Sequence, residues 1–237
     1  MINHGTDMKQ TLLSWSSGKD SAWSLHLLQR QNEHKVVGLL TTFNQAANRV
    51  AMHAVRRSLV DAQAKATGIP LWGVDLPQPC SNADYERIMR ETCKAAVQSG
   101  IEYIAFGDLF LTDIRAYREK QLENSGLQPV FPVWGMPTRE LAWSMIKSGM
   151  RAKLTCVDPK RLAPGFVGRE FDEQLLSDLP PEIDPCGENG EFHTFVFDGP
   201  VFQKPIHVVT GEKVMRDGFY FCDLLPEQEE NGNAIRK

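Results

Sequence analysis

The chain has 237 residues, 42% of them hydrophobic, which is enough to bury a core in one large domain, with or without a small appendage. Its 26 basic and 30 acidic residues give a net charge of −4, so the molecule as a whole lacks the positive field of a protein that holds extended nucleic acid by its phosphates. The five cysteines, an odd number without a Cys-x-x-Cys pair, fit neither a disulfide framework nor a zinc cluster.

Hydropathy and the first residues argue against a membrane protein or a secreted one. No run approaches the ~18 uninterrupted apolar residues that a membrane helix needs. Residues 1–7 lack the apolar core of a signal peptide. We therefore expect a globular, cytoplasmic protein with reduced thiols, and neither a membrane nor nucleic acid as a partner.

Short apolar runs alternate with longer amphipathic ones over the first two thirds of the chain, which predicts parallel strands joined by helices. The predicted strands, each bounded by polar residues or by Gly and Pro, are Thr11–Trp15, Lys35–Thr42, Pro70–Leu76, Tyr103–Phe106, Pro129–Val133 and Lys153–Val157. The predicted helices, most of which stop at a glycine, are Asp20–Arg30, Met52–Thr67, Ala83–Ser99, Ile114–Ser125 and Arg139–Ser148.

The pattern changes after about residue 160, where prolines interrupt the chain. Three short extended runs, at Glu191–Phe197, Ile206–Thr210 and Gly218–Leu224, predict a smaller and partly antiparallel region. The polar residues 227–237 are predicted to be a disordered tail. The predicted fold class is therefore α/β: a doubly wound, Rossmann-like parallel sheet over residues 8–160, with a smaller C-terminal α+β region over 161–226.

A small polar loop, the serine loop of residues 16–21, follows the first predicted strand and opens the first helix. Unpaired amides at a helix start point toward a bound anion, and Gly18 permits its close approach. Lys19 adds a positive charge, and the loop's hydroxyls come from Ser16, Ser17 and Ser21. The loop therefore favours a phosphate site, and the alternative is a serine-capped helix with a solvated lysine.

Spacing excludes two common phosphate loops. The Walker pattern requires Gly where this chain has Leu13 and Ser or Thr where it has Asp20, and the Gly-x-Gly-x-x-Gly fingerprint is absent. The serine loop instead resembles the Ser-Gly-Gly-x-Asp-Ser loop of the ATP pyrophosphatase superfamily, with Ser17 in place of the first glycine. That resemblance implies cleavage of ATP between its α and β phosphates, with AMP and pyrophosphate as products.

A second polar segment, the acidic segment of residues 184–200, carries Glu188 and Glu191 in a glycine-bracketed turn, followed by His193 and Thr194. Two such acids suit Mg²⁺ or a substrate amine, and His193 suits proton transfer, whereas the alternative is a solvated turn that enters a strand. The string Gly187–Thr194 resembles the Gly-Glu-x-Gly-Glu-x-x-Thr signature of the diphthine–ammonia ligase family.

Two more segments, 105–119 and 41–56, carry the same resemblance in the same order, which points to the single-domain form of that family. The resemblance implies an adenine nucleotide alpha hydrolase-like fold and a ligase that adenylates a carboxylate with ATP, after which ammonia displaces AMP and forms a C–N bond. Eukaryotic and archaeal members act on a modified histidine of elongation factor two. The substrate of bacterial relatives is not implied.

The resemblance also implies a set of site residues. ATP is expected to contact Ser16, Ser17, Gly18, Lys19, Asp20, Ser21, Thr41 and Gly107. The expected catalytic residues are Lys19, Asp108, Glu188, Glu191, His193 and Thr194, with Asp20 and Asp108 as candidate Mg²⁺ ligands. Asp108 also follows Gly107 at the carboxyl end of a predicted strand, the edge at which open α/β sheets place ligands.

Two alternative functions stay open at this point. A tRNA-thiolating ATP pyrophosphatase would share the serine loop, but it should carry a basic RNA-binding surface and usually a pair of working cysteines. A non-catalytic adenine nucleotide sensor would share the fold and bind ATP without turning it over.

Overall fold

A computed structural model describes residues 8–50 and 54–227. The strands are β1 Lys9–Ser14, β2 His34–Asn44, β3 Arg49–Val50, β4 Leu71–Leu76, β5 Tyr103–Ala105, β6 Gln128–Val130, β7 Arg151–Val157, β8 Phe192–Asp198, β9 Val208–Arg216 and β10 Phe219–Pro226. The α-helices are α1 Lys19–Gln31, α2 Arg57–Thr67, α3 Asn82–Gln98, α4 Thr112–Leu122, α5 Thr138–Lys147 and α6 Glu173–Asp178, and a 3-10 helix covers Pro164–Phe166.

Most predicted elements agree with these bounds to within a few residues. The predicted start of the second helix at Met52 and His53 lies outside the described residues, and so do residues 228–237 of the predicted tail. None of the described helices is long and apolar enough to cross a membrane.

The first sheet is a parallel α/β sheet with one short antiparallel addition. β2 pairs with β1 and β4, β1 pairs with β5, and β5 pairs with β6, all in parallel. β3 pairs antiparallel with the end of β2. The strand order thus reverses direction between β1 and β5, which is the position where doubly wound sheets open a crevice for ligands. The predicted fold class is confirmed.

The second sheet is antiparallel, in the order β8-β7-β10-β9. We had predicted the run Lys153–Val157 as a strand of the parallel sheet, and that placement is wrong because β7 pairs antiparallel with β8 and β10. A short apolar run looks alike in a parallel sheet and at the centre of an antiparallel one, so periodicity cannot distinguish the two. The domain boundary at residue 160 stays a prediction.

One continuous apolar core joins the two sheets. Leu13 and Leu25, from β1 and α1, belong to the same buried cluster as Leu154, Phe195 and Leu224 of the second sheet. An ion cluster adds a polar connection, since Asp223 of β10 pairs with Arg49 at 2.8 Å and with Arg56 at 2.5 Å. The second sheet is therefore fixed over the start of α1, where the serine loop lies.

The loop after β5 approaches the start of α1 closely at Gly107. A Cβ atom at this position would lie 3.0 Å from the Asp20 carbonyl carbon and 3.1 Å from the Ser21 nitrogen. Both are backbone atoms, which cannot turn aside as a flexible side chain can. Glycine at position 107 therefore allows the two loops that flank the crevice to touch.

Gly107→Ala should lower the free energy of unfolding by about 1–3 kcal/mol, the usual cost of overpacking. Gly165→Ala is the matched control, because a Cβ atom there meets no heavy atom within 4 Å, and its effect should stay within about 0.5 kcal/mol. Urea unfolding of both variants measures the difference. Equal stabilities would contradict the close approach.

Candidate active site

The serine loop forms a tight connection between β1 and α1. Gly18 is the N-cap of α1, and no side chain caps the helix there. The hydroxyl of Ser21 donates to the Gly18 carbonyl at 2.9 Å, and the Ser16 and Ser21 hydroxyls lie 3.3 Å apart. The N-cap residue thus supplies no side-chain cap, and the helix start is of the kind whose first-turn amides donate hydrogen bonds to anions.

The side chain of Lys19 is buried and faces away from solvent. It is 2% exposed, and its ammonium donates to Asp20 Oδ2 at 2.9 Å and to the carbonyl of Cys186. The rings of Phe171 and Phe192 lie 5.6 and 5.4 Å from Nζ. The alternative of a solvated lysine is therefore wrong, and Lys19 joins the serine loop to the acidic segment.

Backbone contacts bring the same two segments together. The Lys19 amide donates to Thr194 Oγ1 at 3.1 Å, and the Val196 amide donates to the Ser17 carbonyl at 3.0 Å. A Cβ atom on Gly18 would lie 3.2 Å from the Thr194 carbonyl oxygen, so the contact leaves little room for a side chain there. Two stretches far apart in sequence thus form one site.

The turn of the acidic segment directs its two glutamates differently. Glu188 Oε1 accepts from the Leu109 amide at 2.7 Å, so Glu188 reaches the loop after β5. Glu191 is 1% exposed, and its Oε1 accepts from the Asp184 amide at 3.2 Å and from Asn189 Nδ2 at 3.1 Å. Glu191, one of the expected catalytic residues, lies inside the turn and braces it through these hydrogen bonds, and its catalytic role stays a prediction.

Burial shifts the pKa values of Glu188 and His193 in opposite directions. Burial raises the pKa of Glu188 to about 7; the Leu109 amide opposes this rise and the Asp20 carboxylate adds to it. Burial also lowers the pKa of His193 to about 4, with help from the charge of Lys19. At neutral pH the imidazole is therefore uncharged, while Glu188 changes protonation in the range where a general base is useful.

Two further carboxyl groups, Asp20 and Asp108, lie where the serine loop meets the loop after β5. Burial raises the pKa of both, opposed by Lys19 at Asp20 and by Arg118 at Asp108. Asp20 Oδ1 is buried and has no hydrogen-bond partner among the described residues. Within residues 8–50 and 54–227, no group of three or more His, Cys, Asp or Glu side chains is arranged to hold a metal ion.

A cavity of about 830 Å³ opens at the carboxyl edge of the parallel sheet. Its lining combines polar and apolar residues from the ends of β1, β2 and β5 and the loops that follow them, among them Ser16, Thr42, Ile104 and Phe106, with residues of α3 and α4. Thr41, expected to contact the nucleotide, points to the opposite face and donates to the Trp15 carbonyl at 2.8 Å. Thr42, the next residue, lines the cavity, and the nucleotide contact expected of Thr41 stays a prediction.

Asp184 and Gln63 also support the site, although neither was among the expected site residues. Asp184 Oδ2 accepts from the Glu188 amide at 2.9 Å and so orients the turn. Gln63 is fully buried and bonds to the serine loop. Asp184 lies inside the acidic segment, where a third acid was visible, but Gln63 is a lone polar residue in an amphipathic helix and gave no signal.

Two family models match the chain. The model described as the diphthamide synthase N-terminal domain matches residues 8–129, and that of the C-terminal domain matches residues 138–226.

Curated relatives agree with these matches. The chain is 26% identical over 233 residues to diphthine–ammonia ligase of Homo sapiens, covering 88% of this chain and 86% of the human protein. Its identity to the Mus musculus protein of the same name is 25% over 259 residues, covering 93% and 96% of the two chains. A 128-residue alignment with the Schizosaccharomyces pombe protein of that name reaches 31% identity, covering 52% of this chain and 21% of that protein. The resemblance seen in the sequence motifs is confirmed.

Glu188→Gln should stabilise the protein more at pH 8 than at pH 5. Because the folded-state pKa of about 7 exceeds the ordinary 4.5, the folded protein holds the proton more tightly, and wild-type stability falls as pH rises between these values. Glutamine does not titrate, so the free energy of unfolding of the variant, relative to that of wild type, should increase by on the order of 2 kcal/mol over that range.

Urea unfolding at both pH values tests this, with Glu182→Gln as the control because that side chain is exposed. An advantage that does not change with pH would show that Glu188 titrates like an ordinary surface acid.

Proposed function

Since the chain belongs to the diphthamide synthase family, we propose that it is an ATP-dependent amide ligase that adenylates a carboxylate and amidates it with ammonia. The observation that carries the proposal is the convergence of the serine loop and Glu188 on one crevice of the sheet. The relatives' name further supports a diphthine-type carboxylate, borne on a modified protein side chain, as the substrate. We also propose that the reaction takes place in the cytoplasm.

The nucleotide fits the cavity and the adjoining helix start. The cavity is of a size that small-molecule sites typically have, and Ile104 and Phe106 supply apolar surface for a base. Ser16 and Thr42 add hydroxyls to its wall. The phosphates then meet the start of α1, whose first-turn amides suit an anion.

Mg²⁺ fits between the phosphates and the two aspartates. Mg²⁺ commonly takes one or two carboxylates and completes its shell with substrate phosphates and water, which agrees with the absence of a larger ligand cluster in the described residues. The unpartnered Oδ1 of Asp20 and the half-buried carboxylate of Asp108 are the candidate ligands. When bound, the ion would neutralise phosphate charge as pyrophosphate leaves.

The reaction divides into two displacements. A carboxylate oxygen of the substrate attacks the α-phosphorus and pyrophosphate departs, while Lys19 and the helix start offset the charge on the phosphates. Ammonia then attacks the carbonyl carbon of the acyl-adenylate, and AMP leaves. Glu188 accepts the proton that the nitrogen loses, a role that its pKa of about 7 suits.

The cysteines give no support to the thiolating alternative. Cys186 is buried, its thiol donates to the Thr138 carbonyl at 3.3 Å, and burial raises the pKa of that thiol far above its ordinary range. Cys93, Cys156 and Cys222 are also buried, and Cys80 is half-buried. A persulfide carrier needs an accessible thiolate with a resolving partner.

Turnover with ATP, ammonium and a diphthine-bearing elongation factor should yield AMP and pyrophosphate in amounts equal to the amide formed. Chromatography of the labelled nucleotide and mass spectrometry of the protein measure both products, and omission of ammonium is the control. ADP as the main product would overturn the adenylation. ATP that binds but never turns over would favour the sensor alternative.

A further inference from the structure

Gln63 of α2 has a fully buried side chain whose amide is satisfied on both sides. Its Oε1 accepts from the indole nitrogen of Trp15 at 2.8 Å. Its Nε2 donates to the carbonyl of Ser17 at 3.0 Å and to that of Val196 at 2.7 Å. One side chain thus touches both ends of the strand-to-helix turn and, through Val196, the acidic segment.

The residue that Gln63 holds has an unfavourable backbone conformation. Ser17 has φ of +71°, the left-handed region that a residue with a Cβ atom adopts only at a cost. Ser17 is also fully buried, and its hydroxyl has no hydrogen-bond partner among the described residues. The Ser17 hydroxyl therefore makes no hydrogen bond among the described residues that would hold the turn. Its carbonyl instead accepts two, from Gln63 and from the Val196 amide.

We propose that Gln63 is a positioning residue that keeps Ser17 in its left-handed conformation and so presents the start of α1 to the phosphates. A relaxed Ser17 would turn its carbonyl away from Gln63 and move the Gly18 and Lys19 amides that follow it. Gln63 also holds the buried indole of Trp15, the residue at which β1 enters the serine loop, so it fixes the loop from both sides. The effect on nucleotide rests on the proposed function, whereas the effect on the loop does not.

An ordinary buried glutamine would stabilise the protein without acting on the loop in particular. The variant Gln63→Met helps to distinguish the two roles, because it preserves the length of the side chain and removes all three hydrogen bonds. Thr67→Val is the matched control, since Thr67 lies one turn further along α2 and, among the described residues, its hydroxyl bonds only to Ala64 and Ile69. Ser17→Gly is the rescue, because glycine adopts positive φ without strain.

Hydrogen exchange and nucleotide titration give independent readouts. In the ligand-free protein, Gln63→Met should speed amide exchange in residues 15–19 by about tenfold, the change expected for a lost buried hydrogen bond, while Thr67→Val leaves those residues unchanged. The affinity for α,β-methylene-ATP with Mg²⁺ should fall about tenfold in Gln63→Met and return to within about threefold of wild type in Gln63→Met with Ser17→Gly.

Unchanged exchange in Gln63→Met, or a loss of affinity that Ser17→Gly does not restore, would overturn the positioning role. Should Gln63→Met fail to fold, Trp15→Phe, which removes the indole donor together with part of the ring, should speed exchange in the same residues; no change there would equally overturn the positioning role. If Gln63→Met exchanges faster but the wild-type protein binds no nucleotide, the proposed function is refuted, whereas the role of Gln63 in the loop stands.

Discussion

The ammonium group of Lys19 is buried between the two sheets, where a charge is tolerated only if it is paired and hydrogen-bonded. Its partners are the Asp20 carboxylate beside it in α1 and the Cys186 carbonyl of the acidic segment. The second sheet must therefore dock over the serine loop to satisfy this charge. Because the backbone of the same loop bonds to Thr194 and Val196, the docking also fixes the loop itself.

The same burial determines the chemistry of the acids around the crevice. Glu188, Asp20 and Asp108 lie in a desolvated region, and burial raises the pKa of each of them. A site with this excess of buried acids favours cations, and the proposed reaction supplies two, Mg²⁺ and ammonium. Separate carboxyl groups can thus serve the metal and the proton transfer, since Asp20 belongs to the serine loop and Glu188 reaches the loop after β5.

The sequence predicted the parallel sheet well because its strands and helices are local features with clear punctuation. It could not place β7, since the partner of a strand is decided by contacts far along the chain. Helix α6 escaped detection within a proline-rich stretch, although the Asp172 carboxylate caps it by accepting from the Leu175 amide at 2.7 Å. Thr42 and Gln63 could not be identified from the sequence for related reasons. The position of Thr42 depends on which face of its strand meets the cavity, and the contacts of Gln63 depend on the packing of α2 against a distant loop.

The central claim is that the serine loop and the acidic segment form one nucleotide site at the crevice between β1 and β5. The most direct measurement is a crystal structure of the protein with α,β-methylene-ATP and Mg²⁺. We expect the base in the cavity beside Thr42 and Phe106, the phosphates at the start of α1, and the α-phosphorus facing Glu188. A nucleotide bound elsewhere, or one whose α-phosphorus faces away from the acidic segment, would contradict the account.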